Sequence, residues 1–202
     1  PNRQKMNTVI LGSGKGSNAE AVLRAQAGQL LGNARVKAIL ADVPDAGILR
    51  IAQENGVESH SLEGGSFKTK LDERTEEIWI EKIRSLDPEL IVLAGFMRVL
   101  KSPFLDAFGG RVINLHPSLL PSFKGLDAIN RAFDYGVGIT GCTVHWVNEE
   151  IDGGRIIAQS PVRIMTGDTL EMVEQKVHAV EHMLLPAVIR DLSTGAIPFP
   201  ES

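Results

Sequence analysis

The chain has 202 residues, 43% of them hydrophobic, and a formal net charge of −4 at pH 7, so residues 1–202 are expected to form a single domain with a full core. The acidic balance, with Lys and Arg scattered along the chain, argues against a nucleic-acid or anionic-membrane partner. One cysteine, Cys142, no apolar run approaching the ~20 residues of a membrane span, and no secretory signal predict a reducing, cytoplasmic setting.

Apolar runs of strand length alternate with longer helical patterns through the first half of the chain. The runs predict strands because they are short and apolar, and the two most continuous ones are typical of buried parallel strands. The predicted strands are Thr8–Leu11, Val36–Leu40, Val57–His60, Leu90–Ala94 and Val112–Leu115. The predicted helices run from about Ser17 to Gly28, through Ile51 and Ala52 to a C-cap at Asn55-Gly56, and from about Lys68 to Leu86.

The second half of the chain is less regular. Cys142–Val147 and Ile156–Ala158 flank a glycine-rich loop and are predicted to pair as antiparallel strands. A long helix from about Thr169 to Arg190 carries an apolar stripe at helical spacing. The β-α-β-α order predicts a three-layer α/β/α, Rossmann-like fold, whose sheet is open, twisted and mostly parallel, with an antiparallel strand in the second half. In such sheets, ligands bind beyond the carboxyl ends of the strands.

A loop rich in glycine and serine, residues 13–18, joins the first predicted strand to the first predicted helix. Its free backbone N–H groups and the positive end of the helix dipole suit a phosphate. A capping box, with Ser17 as N-cap and Glu20 three residues later, is the structural alternative. The glycine spacing also fits the loose dinucleotide-binding pattern, with Asp42 as ribose ligand, but Asp42 comes later than the ~20 positions expected. Phosphate binding is therefore the favoured interpretation.

The C-terminal helix contains His178, Glu181 and His182, which match the H-x-x-E-H pattern of one class of zinc peptidase. A zinc site needs a third ligand, and few residues remain to supply one, so no metal is expected. On a helical wheel, Glu181 flanks the apolar stripe, whereas His182 points to solvent. Glu181 is thus placed to meet a substrate amine, and an ordinary surface ion pair is the alternative.

Asn114 and His116 end a strand that is otherwise built to be buried, and Pro117 stops it. Residues two apart in a strand point to the same face, so an amide and an imidazole project side by side. Asp152 lies in an Asp-Gly-Gly turn on a later loop, and its carboxylate can orient the histidine. Together these groups are the equipment of acyl transfer; for each group taken alone, a hydrogen bond to nearby backbone is the structural alternative. His145 is expected to be a packing residue.

Five motifs, taken together, resemble the folate-dependent formyltransferases. They are Asn114-Leu-His116-Pro-Ser-Leu-Leu-Pro121, Gly125-Leu-Asp127-Ala128, Val144-His145-Trp146, Ile151-Asp152-Gly-Gly and Ala94-Gly-Phe-Met-Arg98. The chain is most similar to the branch that formylates 5′-phosphoribosylglycinamide in purine biosynthesis, from the 13–18 loop to the helix carrying Glu181. The resemblance implies direct transfer of the formyl group from the co-substrate 10-formyltetrahydrofolate to the substrate amine, with no acyl-enzyme.

The resemblance also implies three catalytic roles. Asn114 would donate a hydrogen bond to the formyl oxygen as it becomes an oxyanion. His116 would stabilise the same oxygen and act as general acid toward the departing folate nitrogen. Asp152 would bind and orient His116, favour its protonated form, and order a water molecule for proton transfer.

The same resemblance supplies the expected binding residues and partners. Gly16, Ser17 and Asn18 match the substrate-phosphate loop, and Glu181 matches the carboxylate that holds the glycinamide portion. The folate side would be formed by Lys70, Met97, Arg98, Val99, Leu100, Asn114, Asn148, Glu149, Glu150, Ile151 and Asp152. Lys70 falls where the family often has an arginine near the folate tail, which keeps the charge but loses bidentate geometry. Only these small molecules are expected as ligands, with the protein a monomer or homodimer.

Two relatives share this chemistry and stay as alternatives. Formyltetrahydrofolate hydrolases carry an extra N-terminal regulatory domain, and methionyl-tRNA formyltransferases carry a basic C-terminal domain, so the short acidic chain disfavours both. From other classes, the alternatives are a nicotinamide-dependent oxidoreductase that uses the 13–18 loop and a non-catalytic nucleotide-binding module.

Overall fold

The protein is described by a computed structural model over residues 4–201, and a seven-stranded sheet forms its centre. The strands are β1 Met6–Gly12, β2 Ala34–Ala41, β3 Glu58–Ser61, β4 Leu90–Leu93, β5 Val112–His116, β6 Ile139–Trp146 and β7 Ile156–Arg163. They lie in the order β3-β2-β1-β4-β5-β6-β7. The first five strands are parallel, whereas β6 runs antiparallel to both β5 and β7.

Six helices connect or cover these strands within the described residues. They are α1 Ser17–Ala27, α2 Gly47–Glu54, α3 Glu73–Ser85, α4 Ser102–Phe108, α5 Ala128–Tyr135 and α6 Leu170–Thr194. In the part of the chain that the structure covers, none of them is both long enough and apolar enough to cross a membrane.

Alternation along β5 divides its side chains between two core layers. Ile113 and Leu115 pack with the layer that includes residues of α1 and α6. Val112 packs on the opposite face with Trp79 of α3 and Phe104 of α4. Because side chains two apart share a face, Asn114 and His116 follow Val112 toward the carboxyl end of β5, on the α3–α4 side.

The strand order reverses between β1 and β4, which lie side by side and lead to opposite halves of the sheet. Loops that leave such a pair diverge and open a crevice at the carboxyl edge. Ser13 N donates to the Gly95 carbonyl at 3.0 Å, and Met97 N donates to Ser13 Oγ at 3.0 Å. The loops after β1 and β4 are therefore tied together at this crevice.

The predicted α/β/α architecture is confirmed, including the antiparallel pairing in the second half. Some predicted boundaries are wrong. The strands expected at Cys142–Val147 and Ile156–Ala158 are longer, Ile139–Trp146 and Ile156–Arg163, and the helix expected from Lys68 begins only at Glu73. Residues 62–72 are irregular because Lys70 forms a bridge with Val99. The side chain of Asp72 then accepts from Thr75 N at 2.9 Å and caps the helix.

Two short helices, α4 and α5, were not among the predicted elements. They have 7 and 8 residues, too few to repeat an apolar stripe that would separate a helix from a strand. A local signal was present for α4, since Ser102-Pro103 places proline in the first turn. α5 follows Asp127 in a left-handed conformation and carries no side-chain cap, so no such signal marks its start.

Candidate functional site

Asn114 and His145 are direct neighbours across β5 and β6. The amide Nδ2 of Asn114 lies 3.2 Å from Nε2 of His145, and the His145 Nδ1 lies 2.9 Å from the Trp146 carbonyl oxygen. A carbonyl only accepts, so Nδ1 carries the hydrogen, and Nε2 of the neutral ring accepts from Asn114. One amide hydrogen of Asn114 is thereby fixed on His145, and the second is left for a ligand. His145 does more than pack, contrary to the sequence-based expectation.

Asp152 lies between two imidazole rings. Its Oδ2 is 3.5 Å from His116 Nδ1, and its Oδ1 is 3.7 Å from His145 Nε2. The backbone N–H of Gly125 donates to Oδ2 at 2.8 Å. The predicted trio of Asn114, His116 and Asp152 is thus brought together, although Asp152 is far away in sequence.

The loop that carries Asp152 folds back over β6 because its residues allow a tight return. Asp152 has φ 51°, a left-handed conformation that aspartate tolerates better than most residues. A Cβ at Gly154 would lie 1.6 Å from the Trp146 carbonyl oxygen, so only glycine lets the chain approach β6 there. This return path places the carboxylate over the strand-end histidine.

The electrostatics of the site favour an ionised Asp152. Burial by itself raises the pKa of this carboxyl group. The adjacent His145 ring, the Gly125 N–H that donates to Oδ2 and the His116 ring together outweigh burial and hold the pKa of Asp152 below its ordinary value. An anion is therefore held against His116 at neutral pH.

His116 is covered rather than bare, which differs from the picture of a side chain projecting freely from the strand. Its exposed fraction is only 6%, and Nε2 lies 2.9 Å from the carbonyl oxygen of Phe123. Phe123 itself has φ 54°, an uncommon conformation for an aromatic residue. Both ring nitrogens of His116 therefore face acceptor oxygens, and a ligand must replace the Phe123 carbonyl to reach Nε2.

The 13–18 loop leads into α1 through Gly16, which has φ 84°. A Cβ on Gly16 would lie 2.6 Å from Ile48 Cα. Close packing against Ile48 therefore requires glycine at this position, independently of any phosphate bound by the loop. The predicted capping box is wrong, since the N-cap is Gly16 and makes no side-chain cap bond. Instead Glu20 pairs with Arg24, and the first N–H groups of α1 have no partner within the helix.

Glu181 is buried on α6 and faces the start of α1. It is 4% exposed, and its Oε2 accepts from Asn18 Nδ2 at 3.4 Å while its Oε1 lies 2.7 Å from His178 Nδ1. The hydrogen bond to Glu181 raises the pKa of His178, and the charges of Glu181 and Glu174 add to this against the opposing effect of burial. Asn18 and Glu181, assigned to one site from sequence, do lie in contact.

His182 does not point to solvent, and that prediction is wrong. Its Nε2 atom is buried and has no hydrogen-bond partner. The prediction failed because a helical wheel ignores the elements that pack around α6. Its companion His178 is bonded to Glu181. Within residues 4–201, no three His, Cys, Asp or Glu side chains gather as a metal site.

The segment 97–100 presents apolar groups to solvent on one side. Met97 and Val99 are exposed, while Leu100 is buried. Ile151, on the Asp152 loop, is also exposed. Such side chains suit the wall of a flat apolar ligand.

Two polar contacts support the Asp152 loop. Ser102 Oγ donates to Glu149, and Lys124 Nζ lies 3.0 Å from Glu150 Oε1. Lys70, the residue expected near the folate tail, has its Nζ 4.2 Å from the Phe67 ring centroid. The candidate folate residues thus come from three loops that touch one another.

Asp42 is not available to bind a ribose. Its Oδ2 accepts from Arg98 Nε at 2.6 Å, and its side chain is only 4% exposed. This pairing removes the acidic residue that a dinucleotide site would use, which disfavours the oxidoreductase alternative.

We expect Cys142 to be chemically inert in the folded protein. Burial raises its pKa to about 12, with Glu181 adding to the rise, and the thiolate is the nucleophilic form. Native protein at pH 8 should therefore incorporate no iodoacetamide at Cys142, whereas urea-unfolded protein should incorporate one equivalent. Rapid labelling of native protein, with a parallel loss of activity, would contradict the expectation that this thiol takes no part in the chemistry.

The arrangement has the chemistry of acyl transfer without a covalent intermediate. An amide N–H can hold a developing oxyanion, and a histidine backed by an ionised carboxylate can move a proton. The nearby helix N-terminus suits a phosphate. Together, fold and site define a group-transfer enzyme of the α/β class.

Comparison with known proteins gives the family. A model described as formyl transferase matches residues 6–189, and the chain belongs to this formyl transferase family. Phosphoribosylglycinamide formyltransferase of Bacillus subtilis is 40% identical over 183 residues, covering 91% of this chain and 92% of that protein.

A larger relative and a solved structure agree with this. The chicken trifunctional purine biosynthetic protein adenosine-3 is 34% identical over 98% of this chain, which spans 19% of that protein. The structure of phosphoribosylglycinamide formyltransferase from Coxiella burnetii has a TM-score of 0.90 and 34% identity, covering 98% of this chain and 91% of that one. None of these similarities supports the hydrolase or oxidoreductase alternatives.

Proposed function

We propose that this protein, as a single formyltransferase domain, transfers the formyl group of 10-formyltetrahydrofolate to the amine of 5′-phosphoribosylglycinamide in purine biosynthesis. The observation that carries the proposal is the cluster of Asn114, His116 and Asp152 at the end of β5, in a chain of the formyl transferase family. The 40% identity to the Bacillus subtilis enzyme supports the choice of amine.

In this mechanism the substrate amine attacks the formyl carbon directly. The carbonyl oxygen becomes an oxyanion and accepts the free amide hydrogen of Asn114, whose other hydrogen is fixed on His145. The bond between the formyl carbon and the folate nitrogen then breaks. The folate nitrogen gains a proton from His116 as the amine loses one, so the formyl group moves and protons balance.

Asp152 supports His116 through both steps. The ionised carboxylate stabilises positive charge on the ring before transfer, and a water molecule beside it would carry the amine proton back. For the transfer itself, His116 Nε2 gives up its contact with the Phe123 carbonyl and contacts the reacting atoms instead. Substrate binding therefore includes a displacement of the 118–127 loop at Phe123.

The substrate phosphate would bind at Gly16, Ser17 and Asn18, where the positive end of α1 meets the crevice. β1 and β5 are separated by one strand, so this loop and the end of β5 are about 10 Å apart across the sheet. A phosphosugar with an amine side arm can bridge that span, and the buried carboxylate of Glu181 would hold its glycinamide portion.

The folate ring would lie against Met97 to Leu100 and Asn148 to Asp152. Exposed Met97, Val99 and Ile151 give the apolar wall that a flat ring requires. Lys70 would approach the folate tail as a single charge.

A product assay tests the proposal. Purified protein is given 10-formyltetrahydrofolate with or without phosphoribosylglycinamide, and release of tetrahydrofolate is followed spectroscopically. Release that depends on the amine is expected. Release of equal size without the amine would show a hydrolase, and no release in either case would reject formyl transfer.

A second test uses the His178–Glu181 pair. Protonated His178 neutralises Glu181, and the raised pKa of His178 means that this pairing is complete below pH ~6.5 and lost as pH rises through the folded-state pKa. The KM of wild-type protein for phosphoribosylglycinamide should therefore fall as the pH increases. His178→Gln should have the lower KM at low pH, by about two- to fivefold at pH 6, and the two KM values should converge at pH values above the folded-state pKa of His178.

Because the substrate amine titrates identically in both proteins, the ratio of the two KM values isolates His178. A ratio that stays constant from pH 6 to 9 would contradict a role for this pair in substrate binding.

A further inference from the structure

The side chain of Arg98 turns inward while its neighbours face solvent. Met97 and Val99 are exposed, and in extended chain the residue between them points the other way. The Arg98 side chain is 11% exposed, and its Nε donates to Asp42 Oδ2 at 2.6 Å. A guanidinium in the middle of a candidate folate-binding segment is thus engaged by the protein itself.

The same side chain contacts three backbone carbonyls of one loop. Nη1 lies 2.8 Å from the Gly64 oxygen and 3.1 Å from the Lys70 oxygen, and it also contacts the Phe67 oxygen. We call residues 62–72 the clamp loop. A planar guanidinium can satisfy several acceptors in fixed directions, which a lysine ammonium on its flexible stem does not reproduce.

The clamp loop has no helix or regular strand of its own. Besides Arg98, hydrogen bonds connect it to the rest of the protein at both ends and at two points between. Leu62 N donates to the Ala41 carbonyl at 2.9 Å and Thr75 N donates to Asp72 at 2.9 Å. Trp79 Nε1 donates to the Glu63 carbonyl at 2.9 Å, and Val99 N donates to the Thr69 carbonyl at 2.8 Å. Val99 N belongs to the segment proposed to bind folate, and Lys70 bridges Val99. The position of residues 97–100 therefore depends on the clamp loop, whose backbone carbonyls are held together by Arg98.

We propose that Arg98 is a positioning residue: it fixes the clamp loop against residues 97–100 and so shapes the folate site without binding the folate tail. The inference rests on the proposed function for the identity of its ligand. Breaking a buried ion pair from one side leaves the other charge uncompensated. Loss of Arg98 would leave Asp42 and three carbonyls unpaired and would release the clamp loop.

Gly64 offers a way to disturb Arg98 without removing it. A Cβ at Gly64 would lie 1.8 Å from Arg98 Nη2, so Gly64→Ala must push the guanidinium aside. Gly138→Ala is the matched control, because a Cβ there meets no atom within 4 Å. Neither position has the positive φ that would strain alanine.

The experiment compares wild type, Arg98→Met, Arg98→Lys, Gly64→Ala and Gly138→Ala with two formyl donors. One donor is 10-formyltetrahydrofolate, and the other is the same compound without its glutamate tail. We expect Arg98→Met to raise the KM for both donors by about tenfold to a hundredfold. Gly64→Ala should show the same pattern more weakly, Arg98→Lys should recover only part of the loss, and Gly138→Ala should match wild type.

Two further readouts separate positioning from general damage. The KM for phosphoribosylglycinamide should stay within about twofold of wild type, since effects on distant sites are largely independent. Backbone amides of the clamp loop should exchange hydrogen faster in Arg98→Met, while those of β1 and β4 keep their protection.

Other results would overturn the inference. A rise in KM confined to the tail-bearing donor, with normal Gly64→Ala, would mean that Arg98 binds the tail directly. An equal rise for both substrates would indicate general destabilisation. If Arg98→Met does not fold, the inference is tested with Gly64→Ala alone. A KM for the formyl donors in Gly64→Ala equal to that of wild type would then reject the positioning role of Arg98.

Calorimetric titration with tetrahydrofolate distinguishes this failure from failure of the proposed function. Wild type that binds no folate would reject the function. Wild type and variants that bind folate equally well would reject only the clamp.

Discussion

His116→Ala is expected to lower kcat about 10²–10⁴-fold, with the KM for each substrate within a few-fold of wild type. The ring of His116 faces Asp152, and in the proposed mechanism it gives the proton to the folate nitrogen. Its removal takes away the acid but no group that holds the phosphate or the folate ring. Steady-state kinetics with both substrates measure the effect.

Asp152→Ala serves as the companion variant because Asp152 acts through His116. It should also collapse turnover with little change in binding, since the remaining ring loses its ionised partner. The free energy of unfolding should be followed in parallel, because the carboxylate also accepts from the Gly125 N–H. Turnover like that of wild type in folded Asp152→Ala would remove this residue from the mechanism.

Asn114→Ala is expected to reduce kcat by about 10²–10³-fold, the usual loss for one oxyanion donor. Alanine leaves no N–H for the developing oxyanion and leaves His145 Nε2 without its 3.2 Å partner. Because the oxyanion forms only in the transition state, KM should change little. The kinetic comparison with wild type at saturating concentrations of both substrates checks this.

His145→Gln provides the control for the orientation of Asn114. A glutamine can still offer an acceptor to the Asn114 amide, but it cannot match the ring that also bonds the Trp146 carbonyl. We expect an intermediate loss of kcat, and the effects of the two substitutions should not add in the double variant. Full additivity would show that His145 does not act through Asn114.

The strand that ends in Asn114 and His116 was predictable because its information is local. Continuous apolar residues marked β5, and the period of two put both side chains on one face. The same applies to β1, β2, β4 and α6, each of which has its periodicity written in neighbouring residues. The Asp-Gly-Gly turn singled out Asp152 as a partner, and the family resemblance supported its role.

What could not be predicted depends on contacts between segments far apart in sequence. His145 faces Asn114 only through the register of β6 on β5, which no local pattern gives. The Phe123 contact to His116 uses a backbone carbonyl, and any residue type carries one. The inward turn of Arg98 likewise depends on where the clamp loop and Asp42 lie.

The helix predicted from Lys68 was wrong for a related reason: a contact between distant segments prevented a structure that the local sequence allows. Lys68 to Leu71 are acceptable helix residues by propensity, but the bridge between Lys70 and Val99 takes them away from the helix. Tertiary contacts override local preference there, and the override falls at the edge of the proposed folate site.

A crystal structure with phosphoribosylglycinamide and a formyl donor held unreactive by replacement of its leaving nitrogen with carbon tests the central claim most directly. The predicted result places Asn114 Nδ2 about 3 Å from the formyl oxygen, with His116 Nε2 released from Phe123 and turned to the reacting group. A formyl oxygen bound elsewhere, with the contact between His116 and Phe123 intact, would contradict it.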